Sequence, residues 1–181
     1  MTRLADFRPA ACWGLALVTV AATPLAAADY EVAGTATAVI DGESFDLWVP
    51  YDAENDESYA KKIVVGPTST VSIEAFSGEP GESWEDPGVA LSISGPQARS
   101  TITSLSVTLP DDPPQTLWEF GTGDTSRVIE SAEVQRDDDH VAFSITATLT
   151  QVDYMGEPVS DGGAGPATMQ VSIEGEADLT E

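Results

Sequence analysis

Apolar and polar residues alternate along much of this chain with a period of two. Over 141–149, Val141, Phe143, Ile145, Ala147 and Leu149 share one side, with Ser144, Thr146 and Thr148 on the other. Over 168–179, Met169, Val171, Ile173, Ala177 and Leu179 oppose Thr168, Gln170, Ser172, Glu174, Glu176 and Asp178. A helix would scatter these side chains around its circumference, whereas a strand sorts them into a dry face and a wet one. Shorter copies of the pattern occur at 71–75, 89–93 and 105–109. Together they predict about nine or ten strands, at 30–40, 43–50, 61–65, 69–76, 88–94, 101–109, 116–120, 127–136, 140–152 and 167–179. Gly and Pro separate them, at Gly66-Pro67, Gly78 to Gly81, Pro87-Gly88, Gly95-Pro96, Pro110 to Pro114 and Gly162 to Pro166. No segment carries a helical apolar stripe, although 52–61 has room for one helical turn.

The first two strands fix their own register. Asp41-Gly42 is a type I′ turn signal, because both central positions of that turn need positive φ. The turn sets Ala38 opposite Phe45, Ala36 opposite Leu47 and Gly34 opposite Val49, so that each large residue faces a small one. The other face pairs Thr35 with Trp48 and Thr37 with Asp46. A slip of one residue would put Phe45 and Leu47 in water. Many short strands with one dry face each predict an all-β fold, an antiparallel β-sandwich or partly closed barrel. No linker is long enough to divide the chain, and 29–181 reads as a single domain.

Residues 1–28 read as a signal peptide. Arg3 and Arg8 make a positive start, and Ala10 to Ala22 form an apolar run that Pro24 breaks. That run of 13 residues falls short of the roughly 20 needed to span a bilayer. Ala26-Ala27-Ala28 supplies a small-residue cleavage signal, with the cut between Ala28 and Asp29. Cys12 lies within the apolar run rather than at the cut, which speaks against a lipoprotein. The leader predicts export to the periplasm or beyond, with no membrane span after cleavage. Cleavage removes one acid, two bases and the only cysteine, leaving 30 acids and five bases over 153 residues, a formal charge of −25. Such a domain is held by its core and not by disulfides.

Charge narrows the partners. The full chain has 31 acids and 7 bases, a formal charge of −24. A polyanion of this kind repels phosphate backbones and anionic bilayers, so nucleic acid is not an expected partner. With five bases left after cleavage, at least 25 acids have no one-to-one basic partner. Most lie in turns, as a solvated surface would have them.

Few residues offer chemistry. Asp52, Glu54 and Asp56 are spaced like the first three ligands of a calcium loop. The EF-hand pattern then needs Gly where Glu57 stands and Glu where Ile63 stands, so only a loop site of another kind fits, beside the plainer reading of a solvated acidic turn. Asp137 to Asp139 reads as a hairpin tip. His140, the only histidine, follows those acids at a strand edge, and no G-x-S-x-G elbow accompanies it. There is no GxGxxG, phosphate-binding loop or C-x-x-C, and no cofactor is expected. Paired carboxylates for polysaccharide hydrolysis are a second reading that the abundance of acids permits without nominating a pair. Trp48, on the polar face of its strand, and Trp84, in a Gly/Pro/Glu loop, are candidate stacking residues for a sugar ring or partner. The competing reading has Trp48 in a second layer of packing and Trp84 folded over a sheet edge. Trp118 and Phe120 read as interior.

Two stretches resemble small exported bacterial β-sandwich proteins of uncharacterised function. One is the opening hairpin, Gly34-Thr-Ala-Thr-Ala-Val-Ile-Asp-Gly-Glu43. The other is the closing pair, Glu133-Val-Gln-Arg-Asp-Asp-Asp-His-Val-Ala-Phe-Ser-Ile-Thr-Ala147 followed by Met169-Gln-Val-Ser-Ile-Glu-Gly175. Those proteins often end on such a strand pair with a variable loop between. The resemblance covers about a third of the chain and implies no active site. The expected function is a non-enzymatic binding or structural module of the cell envelope, with a protein or glycan partner. The alternatives are a carboxylate-dependent polysaccharide hydrolase and a calcium-stabilised module.

Overall fold

The computed structural model describes residues 30–113, 116–120, 128–153, 155–159 and 167–180. The leader, its cleavage point at Ala28 and Asp29, and the Gly/Pro stretch 162–166 lie outside them. Eleven strands form: β1 (Tyr30–Ile40), β2 (Glu43–Asp52), β3 (Glu57–Ser58), β4 (Ala60–Val65), β5 (Thr68–Ser77), β6 (Glu85–Gly95), β7 (Thr101–Thr108), β8 (Thr116–Glu119), β9 (Val128–Arg136), β10 (His140–Asp153) and β11 (Thr168–Asp178). Ten of them fall where the alternation predicts. The exception is 52–61, where the chain makes a tight turn and then the two-residue strand β3, with no helical turn. Asp56, at φ 53°, supplies the left-handed residue of that turn, a conformation Asp tolerates. One short 3-10 turn, Gln97–Arg99, joins β6 to β7.

All strand pairs are antiparallel and form one sheet, in the order β3-β2-β1-β11-β10-β8-β7-β6-β5-β4. Strand β9 also pairs with β10. A bridge between Trp48 and Phe76 joins β2 to β5 and bends the sheet back on itself. The product is a sandwich closed into a partial barrel. One layer is β2-β1-β11-β10-β9 and the other β4-β5-β6-β7, with β8 running from β7 to the far end of β10.

The opening hairpin has the register its turn demands. Asp41 and Gly42 take φ of 47° and 90°. Ala38 faces Phe45, Ala36 faces Leu47, Gly34 faces Val49 and Thr35 faces Trp48. The dry faces meet in one core that includes Leu47, Ile73, Leu91, Ile93, Leu105, Ile145, Leu149 and Ile173. Burying each such side chain contributes about 1.5–3 kcal/mol before conformational entropy is subtracted. In β7 strict alternation fails, because Ile102 and Leu105 both point inward. Thr103 bulges out of β7 between Ile102, opposite Ile93, and Ser104, opposite Ser92, and this extra residue shifts the register to allow it.

Polar ties close the edges. Thr180 adds one parallel rung to β4: its carbonyl accepts from the Lys62 N–H at 2.8 Å, and its N–H donates to the Ala60 carbonyl at 3.1 Å. Arg136, buried at the end of β9, donates from Nη2 to the Gly95 carbonyl at 2.8 Å. Its Nη1 has no partner among the described residues. The Trp118 indole packs against the core and donates to Asp112 at 2.9 Å.

At the junction of the layers Glu119 lies half-buried, opposite Ser106 and Thr150. Burial pushes its carboxyl above the ordinary carboxylate range. A raised acid favours the fold when protonated, and that contribution is lost as pH rises through its folded pKa. Glu119→Gln should therefore melt higher than the parent at pH about 7, and the two should converge near pH 4, below the ordinary glutamate pKa of ~4.3. Thermal melts at both pH values check this; a parent that melts higher at neutral pH contradicts it.

Candidate functional site

The structure carries an outer trough that the strand pattern did not announce. On β1 and β11 the inward residues Gly34, Ala36, Ala38, Gly175 and Ala177 are small, and they meet across the pair: Gly34 faces Ala177 and Ala36 faces Gly175. On the flanking strands the same rows end in large residues, Phe143 beyond Gly175 and Leu47 beyond Ala36. Small residues at the centre let β1 and β11 sink toward the core, while large ones hold the flanks out. The outer surface over that centre is a cleft of about 780 Å³.

Two rungs of outward side chains cross this trough. One runs Glu133, Ser144, Glu174, Thr37, Asp46, and the next Gln135, Ala142, Glu176, Thr35, Trp48. Gly78 and Pro80, from the loop after β5, form the wall beside β2. Four carboxylates therefore share the trough with three hydroxyls and an amide, and among the described residues no Lys, Arg or His lines it.

Charge divides between the layers. Strands β1, β2, β9, β10 and β11 carry ten acids against one base, the buried Arg136. Strands β4 to β7, with the 3-10 turn, carry three acids (Glu74, Glu85, Asp86) and three bases (Lys61, Lys62, Arg99). The field of this acidic protein is thus concentrated on the layer that holds the trough.

The tryptophans do not form an exposed strip. Trp48 points to the outer face, as its register requires, yet is only 1% exposed. Its indole N–H is buried without a hydrogen-bond partner among the described residues, an arrangement that costs about 1–3 kcal/mol. Trp48 is thus a second layer of packing and not a free stacking platform. Trp84 is 38% exposed, but its ring stacks on Phe76, with centroids 5.2 Å apart and planes at 8°. Tyr30 and Tyr59 approach it at 4.9 and 4.8 Å. The four rings pin the loop from Gly78 to Trp84 against the start of β1 and the strand ends beside it. Phe76 stands between the two tryptophans, facing Trp48 across the β2–β5 bridge.

The calcium-like acids serve the turn instead. Asp52 is buried, and its carboxylate accepts from the Glu54 and Asn55 backbone N–H groups at 3.0 Å and from Asn55 Nδ2 at 2.7 Å. These bonds, that of the Asn55 side chain foremost, hold its pKa below the usual value. Asp56 accepts from the Tyr51 hydroxyl at 2.8 Å, which raises the tyrosine pKa. Among the described residues no group of three or more His, Cys, Asp or Glu side chains is placed to hold a metal ion, so Asp52, Glu54 and Asp56 do not converge as ligands. His140 lies half-exposed between two acids of β11, with Nδ1 3.2 Å from Asp178 and Nε2 3.8 Å from Glu176.

No protein-family model matches the chain, and no curated protein matches it.

Proposed function

We propose that the protein is an exported, non-enzymatic binding module of a bacterial cell envelope, and that its trough takes a cationic segment of another protein. The observation that carries this reading is the lining itself: Asp46, Glu133, Glu174 and Glu176 around one cleft, with no base among the described lining residues. Thr35, Thr37, Ser144 and Gln135 add hydroxyl and amide groups for the backbone of an extended ligand. A neutral glycan suits the trough less well, because the lining rings, Trp48 and Phe143, are buried and present no face for a sugar to stack on.

Calorimetric titration with a short oligolysine peptide, an oligoglutamate and a neutral oligosaccharide tests the proposal. The lysine peptide alone is expected to bind, less tightly as salt rises. Glu174→Gln with Glu176→Gln should weaken it about ten-fold, close to 1.4 kcal/mol. Neutralising the two hairpin-tip acids Asp137 and Asp139 should have a smaller effect. Equal losses from both pairs would reduce the binding to general attraction by a polyanion. Hydrolysis of a polysaccharide abolished by the trough variants would replace this reading with the carboxylate hydrolase.

A further inference from the structure

Strand β4 ends the sheet and is built unlike the rest of the surface. Its inner edge pairs with β5 from Ala60 to Val65. Among the described residues its outer edge is covered only at its start, where Thr180 bonds to Ala60 and Lys62. Backbone groups of alternate residues face the same side of a strand. Since Ala60 and Lys62 turn theirs outward to Thr180, Val64 turns its N–H and C=O outward as well. Ile63, Val64 and Val65 are 60%, 58% and 70% exposed, so both faces of the strand are apolar and open. Natural edge strands are commonly guarded by charge, proline or a covering loop, and an apolar uncovered edge is a template for another strand.

Charge points to the occupant. From Ser58 to Ile73 the chain carries no acid, although it holds 31 in all. The bases nearby, Lys61 and Lys62, are already engaged by Glu57 at 2.8 Å and Asp138 at 3.6 Å. Two copies, each strongly negative, meet least repulsion where this edge faces itself. The stretch is also self-complementary when reversed. An antiparallel two-fold centred on Val64 sets Val64 against its counterpart, with their outward N–H and C=O groups exchanged. It sets Ile63 against Val65, and the pairing stops short of Lys62, whose outward N–H is already taken by Thr180, so that no lysine meets another lysine. A cationic or acidic partner strand would find no free charge there to answer.

We propose that β4 is a self-association edge, through which two copies join their sheets by antiparallel β4 pairing about Val64. This surface lies on the layer opposite the trough and does not depend on the function proposed for it. Because the contact is apolar and the rest of the two copies repel, association should strengthen with salt, the reverse of cation binding in the trough.

Sedimentation equilibrium of the full chain tests this in about 0.05 M and 1 M NaCl. The expected result is a monomer–dimer equilibrium whose dissociation constant falls at least about five-fold at high salt. Val64→Lys places a charge at the two-fold, and Val64→Pro removes an N–H that β5 does not use. Each should weaken the dimer at least about ten-fold, with thermal unfolding of the monomer nearly unchanged. A chain that stays monomeric at every salt concentration overturns the proposal. So does a dimer that both variants leave intact, or one that dissociates as salt rises.

Discussion

Gly175→Val and Gly34→Val are each expected to destabilise the protein by about 3 kcal/mol or more, a large part of the ~5–15 kcal/mol typical of a domain. A Cβ on Gly175 would lie 2.6 Å from the Ala36 Cβ and 2.7 Å from the Thr35 carbonyl oxygen. On Gly34 it would run into the Glu176 carbonyl oxygen and lie 2.7 Å from Ala177 Cα. The obstacles are mostly backbone and Cβ atoms, which cannot rotate away as the tip of a flexible side chain would. Strands β1 and β11 would have to separate, and this would undo the pairing at the centre of the acidic layer. Urea unfolding of the parent and the two variants gives the measurement. A midpoint change worth less than about 1 kcal/mol would show that the strands do not sink together as described.

Raising NaCl from about 10 mM to 1 M should increase the melting temperature by about 5 °C or more. The Debye length falls from ~30 Å to ~3 Å over that range, and a gain of about 2 kcal/mol shifts a domain of this size by roughly this amount. The cause is the concentration of ten acids against one buried base on five adjacent strands. Carboxylates two strands apart on one rung, such as Glu174 and Asp46 on either side of Thr37, oppose the compact state until salt screens them. An unchanged or lower melting temperature would mean that the repulsion is already relieved, by counter-ions held in the folded state.

How far the fold could be read from sequence follows from how local its causes are. The opening hairpin was legible to the residue, because Asp41-Gly42 and the large-against-small pairs of β1 and β2 agree within about twenty residues of chain. The all-β class was equally plain from the alternation in β10 and β11. The trough was not legible. It needs Gly34 to lie opposite Ala177 and Gly175 opposite Ala36, pairings between the two ends of the chain that no local pattern reveals. The alternation placed Trp48 on the outer face correctly but said nothing of its burial, which depends on surroundings outside its own hairpin. The spacing of Asp52, Glu54 and Asp56 suggested ligands, whereas the backbone uses Asp52 to satisfy its own N–H groups in the turn. A signal for the β4 edge was present in the acid-free run Ser58–Ile73, but strand order had to be known before it meant anything.

The place of β11 between β1 and β10 also governs when this molecule can be assembled. The first hairpin can close as soon as it is made, yet its inner neighbour is the last strand of the fold. Until that strand arrives, β1 and β10 each keep one unsatisfied flank, and the acidic layer has no centre. Assembly is therefore a single late event joining distant parts of the polypeptide, a topology that folds in about milliseconds to seconds and not in microseconds. A chain caught before this step would offer two bare strands to its neighbours, while its many like charges hold those neighbours apart.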